Sequence, residues 1–173
     1  MELLKCDFEF DFIDPNFENV NHQKTLLWIV HANKIPPHIG ISVDGYFFSL
    51  KVRGKDEFLP TVKLLKILNS KKILTIAIEL KSDIFLDVVA NKYKQFHWAQ
   101  NLDSSCLVPI KELLLPDERI ERLKDLLDIL EEKKLLNKVF GLNLDGTYKG
   151  IPHYTTEQII LRLEKNARGA QQI

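Results

Sequence analysis

Along residues 6–12 apolar and acidic positions alternate, with Cys6, Phe8, Phe10 and Phe12 on one side of an extended chain and Asp7, Glu9 and Asp11 on the other. This period of two predicts a half-buried outer strand, ended by Asp14-Pro15, with Cys6 in the core beside the phenylalanines. An exposed edge at 6–12 is also a place where two copies of the chain could pair. The run TLLWIVHA at 25–32 carries no polar interruption, as expected of a central strand, and Asn33 with Pro36-Pro37 closes it. HIGISV at 38–43 and GYFFSLKV at 45–52 then flank Asp44-Gly45, a dipeptide that supplies the positive φ angles of a tight hairpin turn.

Helical spacing takes over at PTVKLLKILNS, 60–70, where Val62, Leu65 and Leu68 recur and Pro60 marks the start. ILTIAIEL at 73–80 returns to a strand pattern. Ser82 offers an N-cap for a helix through Phe96 with Phe85, Val88, Val89 and Tyr93 on one face. In LDSSCLVPIKELLL a serine at 104 or 105 caps a short helix that begins at Cys106, and Pro109 still fits its first turn. From Pro116-Asp117 to about Lys138 the pattern reads as one long amphipathic helix with Leu123, Leu126, Leu127 and Leu130 facing the core. A second Asp-Gly turn at 145–146 precedes a last helix, capped by Thr155 or Thr156 and running to about Lys165. Strands followed by helices give an α+β class: an antiparallel sheet packed by helices, with a core at about 1–115 and a helical C-terminal extension at about 116–173.

Composition narrows the function. The chain has 173 residues, 45% hydrophobic and 28% charged, enough apolar material for one core. Its 24 Lys plus Arg balance 24 Asp plus Glu, so no basic excess is present to neutralise nucleic-acid phosphates. Two cysteines cannot build a disulfide framework, which points to reduced thiols in the cytoplasm. The N-terminal MELLKCDFEFDFIDP lacks the basic and unbroken apolar regions of a signal peptide, and no apolar run approaches the ~20 residues of a membrane-spanning helix. GxGxxG and GxxxxGK do not occur, so no nucleotide cofactor is expected. A zinc site drawn from His38, His97 and Cys106 has no CxxC or HxxxH spacing behind it, and no metal is expected. Glu131 and Glu132 are adjacent, so on a helix they splay about 100° apart and make no acid/base pair.

What remains is thiol chemistry. A cysteine at a helix N-terminus sits among unpaired N–H groups, which would lower its pKa and could hold an oxyanion. His38 opens a strand directly after two prolines and can serve as the base. Gly40, two residues on, leaves space for a helix to pack closely. Ser49 lies across the Asp44-Gly45 turn, where its hydroxyl could orient the ring nitrogen turned away from sulfur. His31 and His97, near element ends, are reserve candidates, whereas His22 and His153 fall in loop-like sequence.

HIGISVDGYFFSL at 38–50 resembles the histidine hairpin of the circularly permuted papain-like superfamily, which includes relatives of NlpC-type peptidases, lecithin:retinol acyltransferase and permuted deSUMOylating peptidases. SSCLVPIKELL at 104–114 is similar to the cysteine-bearing helix that follows the histidine strand in that permuted order. The resemblance implies Cys106 as nucleophile and His38 as base. Ser49 falls near a third polar position that is often another histidine. The implied function is a hydrolase or acyltransferase acting on an amide or ester of a small molecule or peptide, without a cofactor. The alternative is a non-catalytic interaction or scaffold module of the same fold, meeting a protein partner through its C-terminal helices.

Overall fold

The computed structural model describes residues 5–169. Eight strands and five α-helices follow in the order β1 (Cys6–Glu9), β2 (Leu26–Val30), β3 (His38–Val43), β4 (Tyr46–Lys51), β5 (Gly54–Pro60), α1 (Thr61–Ser70), β6 (Thr75–Leu80), α2 (Leu86–Tyr93), α3 (Leu107–Leu114), α4 (Leu123–Glu132), β7 (Leu136–Leu142), β8 (Gly150–Pro152) and α5 (Thr156–Gly169). Six strands form one sheet in the order β5-β4-β3-β2-β6-β7, every neighbouring pair antiparallel, and β1 pairs with β8 in a separate ribbon. The class is α+β, as the pattern predicts.

All five residues of β2 are buried because strands flank it and both of its faces are covered. Alternation divides the sheet between two cores. Ile29, Ile39, Ile41, Phe48 and Leu50 face α2, α3, α4, α5 and the ribbon through Tyr93, Ile110, Leu127, Leu163 and Ile151. Leu26, Trp28, Val30, Phe47 and Phe140 face the other way, onto Leu64 and Leu68 of α1 and onto Phe17. The one indole N–H in this second core is satisfied by the buried Ser42 hydroxyl at 2.8 Å. The hairpin turn forms at Asp44 (φ 51°) and Gly45 (φ 80°).

Expectations give way at α2, at Cys6 and at the end of α4. Helix α2 starts at Leu86, after Phe85 rather than Ser82, and buries Val89, Ala90 and Tyr93 while Phe85 and Val88 lie exposed. Cys6 is half-buried and outside the core.

The long helix to Lys138 is really α4, a break and β7. Its leucines at 123, 126, 127 and 130 are buried as predicted. After them Lys134 turns left-handed (φ 58°), its N–H bonds the Glu131 carbonyl, and the Leu135 N–H reaches back to Leu130. This is a Schellman stop made with lysine where glycine is usual. Residues 136–142 then pair with β6 and bury Phe140. Strands β7 and β8 therefore complete the two sheets, and the chain beyond Pro116 is part of the packed structure rather than a helical appendage.

Candidate active site

Strand β3 begins at His38, and its pairing with β4 runs from Val43↔Tyr46 only as far as Gly40↔Ser49. His38 and Ile39 project beyond that paired stretch. A cavity of ≈ 360 Å³ opens there between the strand ends, the start of α3 and the inner face of α5, a size ordinary for small-molecule sites. Ile39, Leu50, Val52, Leu107, Tyr154 and Leu163 give it an apolar interior, and Cys106 and His38 both line it.

Cys106 is the N-cap residue of α3, and its side chain makes no capping bond. The N–H groups of Ile39 and of Cys106 itself face the sulfur and favour a thiolate, but burial outweighs them and pushes the thiol up. A lowered pKa is thus not what the fold produces: a helix N-terminus contributes a fraction of a kcal/mol to a few, whereas taking the charge out of water costs more.

His38 is partly buried and stands opposite Val30 in the β2–β3 register, which places it on the same face as Val30 and Gly40. Burial pushes its imidazole down to about 4, against an upward pull from Asp56 and with Lys51 and His31 adding to the fall. At neutral pH thiol and imidazole are both uncharged.

Strand parity separates the two groups. Ile39, whose face is covered by α3, shares a core with Leu107 and Ile110, and Cys106 packs against that core. His38 is on the opposite face of the sheet, and among the described residues no hydrogen bond joins its ring to the sulfur. The space above Gly40 is filled by the ring of Phe47, not by a helix: a Cβ there would overlap two ring carbons and come within 2.9 Å of the Phe48 carbonyl oxygen. The sulfur nevertheless lies at the Ile39 N–H, one covalent bond beyond the His38 carbonyl carbon.

Ser49 is fully buried, and its hydroxyl donates to Asp56 at 2.8 Å rather than to His38. The other Asp56 oxygen accepts from Lys51 at 2.7 Å. Ser49 therefore holds a carboxylate, and that carboxylate is the negative charge His38 feels. The sequence pattern does not single out Asp56, since Lys55, Asp56 and Glu57 suit a loop as well as an edge strand. The signal was there in Gly54, which turns β4 into β5 at φ 115° and sets Asp56 opposite Ser49.

Two tyrosines also belong to the surroundings. Tyr154 lines the cavity, and its hydroxyl accepts the Leu123 N–H at 3.0 Å. The Tyr93 hydroxyl is buried without a hydrogen-bond partner, in the field of both Cys106 and Asp56.

Of the reserve histidines, His31 lines the cavity and His97 leans on Trp98 with ring centroids 5.9 Å apart. His153 contacts Asp7, and His22 stacks on Trp28. Among the described residues no three His, Cys, Asp or Glu side chains gather as a metal site, so His38, His97 and Cys106 do not form a ligand set. No described helix is long and apolar enough to cross a membrane. Comparison with protein-family models, with curated proteins and with solved structures finds no match to this chain.

Proposed function

We propose that the protein is a thiol-dependent hydrolase or acyltransferase that cleaves an amide or ester bond with Cys106 and His38. One observation carries this: a helix-capping cysteine and a strand-opening histidine line one apolar cavity, with the sulfur at the N–H of the residue next to the histidine. Because both groups rest uncharged, attack is a general-base step and not the reaction of a preformed ion pair.

The sulfur forms a bond to the substrate carbonyl carbon as its proton passes to His38, and the carbonyl π electrons move onto oxygen. Backbone N–H groups at the start of α3 hold that oxyanion. Its collapse breaks the bond to the amine or alcohol, which leaves with the proton from His38. Water, or an acceptor alcohol or amine, then attacks the thioester and restores the thiol. Asp56, held by Ser49 and Lys51, orients the imidazole by its charge. Cys106 is a free thiol, which suits a reducing compartment such as the cytoplasm.

Steady-state hydrolysis of p-nitrophenyl esters and anilides tests the proposal. The wild-type protein is expected to turn over at least one of them, and Cys106→Ala or His38→Ala to lose that turnover. Activity equal in Cys106→Ala and wild type would refute it.

A second reading, a non-catalytic module, is favoured by the absence of a Cys106–His38 hydrogen bond and by Ile160 and Leu161 of α5, which are 39% and 64% exposed. It predicts no turnover in any of these proteins, together with a partner captured through α5 and lost on Leu161→Glu.

A further inference from the structure

The cavity beside Cys106 has a one-sided charge at its mouth. Helix α5 places Ile159, Arg162, Leu163 and Asn166 on the lining, a spacing of i, i+3, i+4 and i+7 that makes one helix face. Ile159 and Leu163 are buried, so Arg162 sits on the inward-turned face between them even though its guanidinium reaches solvent. Lys34, on the connection from β2 to β3, lines the cavity from across the way.

The remaining charged groups of the lining are already engaged. Lys51 pairs with Asp56, and Glu121 pairs with Arg119. Among the described residues neither Lys34 nor Arg162 has an acidic partner. Both act on one point, since the imidazole of His31 is held down first by burial and then by the charges of Lys34, Arg162 and Lys71. An apolar interior with two uncompensated cations at its rim is complementary to a ligand with an apolar body and an anionic end.

We propose that the substrate of this site is an amphipathic anion, its apolar acyl part held in the cavity against Leu50, Val52 and Leu163 and its carboxylate or phosphate held at the rim by Arg162 and Lys34. This assignment rests on the reading of Cys106 and His38 as the reacting pair, so it is tested in Cys106→Ala protein, where binding is separated from chemistry.

The measurement is isothermal titration calorimetry with decanoate, decyl phosphate, decan-1-ol and decyltrimethylammonium, each below its aggregation concentration. At least one of the two anions is expected to bind about tenfold or more tighter than the alcohol, and the cation weakest. Whichever anion binds tighter assigns carboxylate or phosphate. In the Lys34→Gln/Arg162→Gln variant the anion's affinity is expected to fall to that of the alcohol, while the alcohol's own affinity stays unchanged. Equal binding of anion and alcohol, an anion preference that survives the double substitution, or no binding of any probe would overturn the proposal. An intact anion preference in a protein without esterase activity would sink the catalytic assignment alone.

Discussion

Replacing His38 changes how stability depends on pH, and the structure fixes both sign and size. An unfolded-chain histidine titrates near 6.5, whereas in the fold burial pushes His38 down to about 4. Above pH 6.5 the residue is neutral in both states and contributes nothing to the pH dependence. As pH falls through that value the unfolded chain takes up a proton that the folded chain refuses, so the folded state loses stability until the folded imidazole titrates near 4. Integrated from neutrality to pH 4, the loss is about 3 kcal/mol, a large share of a typical domain's total.

His38→Gln keeps the polarity and roughly the volume of the side chain and removes the titration. Urea denaturation of both proteins at pH 7, 6, 5 and 4 isolates the effect, because His22, His31 and the carboxylates contribute equally to both. The wild type should weaken relative to the variant by a little over 1 kcal/mol per pH unit below 6. A difference between the two proteins that stays flat from pH 7 to pH 4 would show that His38 is not held neutral, and the uncharged resting pair would have to be abandoned.

Other consequences are simpler. Gly40→Ala should cost about 1–3 kcal/mol in denaturant unfolding, because the new methyl meets the Phe47 ring and the Phe48 carbonyl with no open side to move into. Leu127→Ala, in the fully buried face of α4, should cost about 2–5 kcal/mol, whereas Phe12→Ala, at a position 70% exposed, should stay within about 0.5 kcal/mol. Tyr154→Phe leaves the first N–H of α4 without its acceptor, and a loss of about 1–3 kcal/mol in chemical denaturation is expected. Lys134→Gly should raise stability by about 0.5 kcal/mol, since relief of a left-handed side chain exceeds the entropy glycine adds to the unfolded chain; a thermal-melt midpoint lowered by the change would contradict that.

How legible the fold was depended on whether local chemistry announced itself. Asp44-Gly45 carries its turn in its own residues, and the five unbroken apolar positions of β2 could only be a strand covered on both sides. The end of α1 is legible at Ser70, where the period of the apolar positions changes, but the end of α4 gives no such notice. Both are Schellman stops with lysine in the left-handed position, Lys72 at φ 49° and Lys134 at φ 58°, where a reader looks for glycine. Without a visible stop the leucine period of α4 ran on through Leu135 and Leu136, and β7 was read as helix. Strand β5 hid in the same way, because Lys55, Asp56 and Glu57 are what an edge strand carries to avoid pairing and also what a loop carries.

For the site, the sequence supplied the residues and their order along the chain but not the face. Period two already places His38 with Gly40 and Ser49, and Ile39 with the core. Which face α3 covers is decided by long-range packing of Leu107 and Ile110 against Ile39 and Phe48, and nothing local encodes that. The thiol pKa was misjudged for a related reason. The helix start was legible, while the burial that outweighs it depends on Tyr154 and Leu163, nearly fifty residues and more away along the chain.

Acylation of Cys106 under single-turnover conditions tests the joint action of the two residues most directly. A Cys6→Ser protein in excess over p-nitrophenyl butyrate is quenched at intervals, and the modified site is read by peptide mass spectrometry between pH 5 and pH 8. The account predicts a butyryl thioester on Cys106 whose rate of formation is nearly level across that range, because neutral His38 is the base throughout, and a rate about 10²–10⁴-fold lower in His38→Ala. An acylation rate unchanged by removing His38, or a butyryl group found elsewhere than on Cys106, would contradict it.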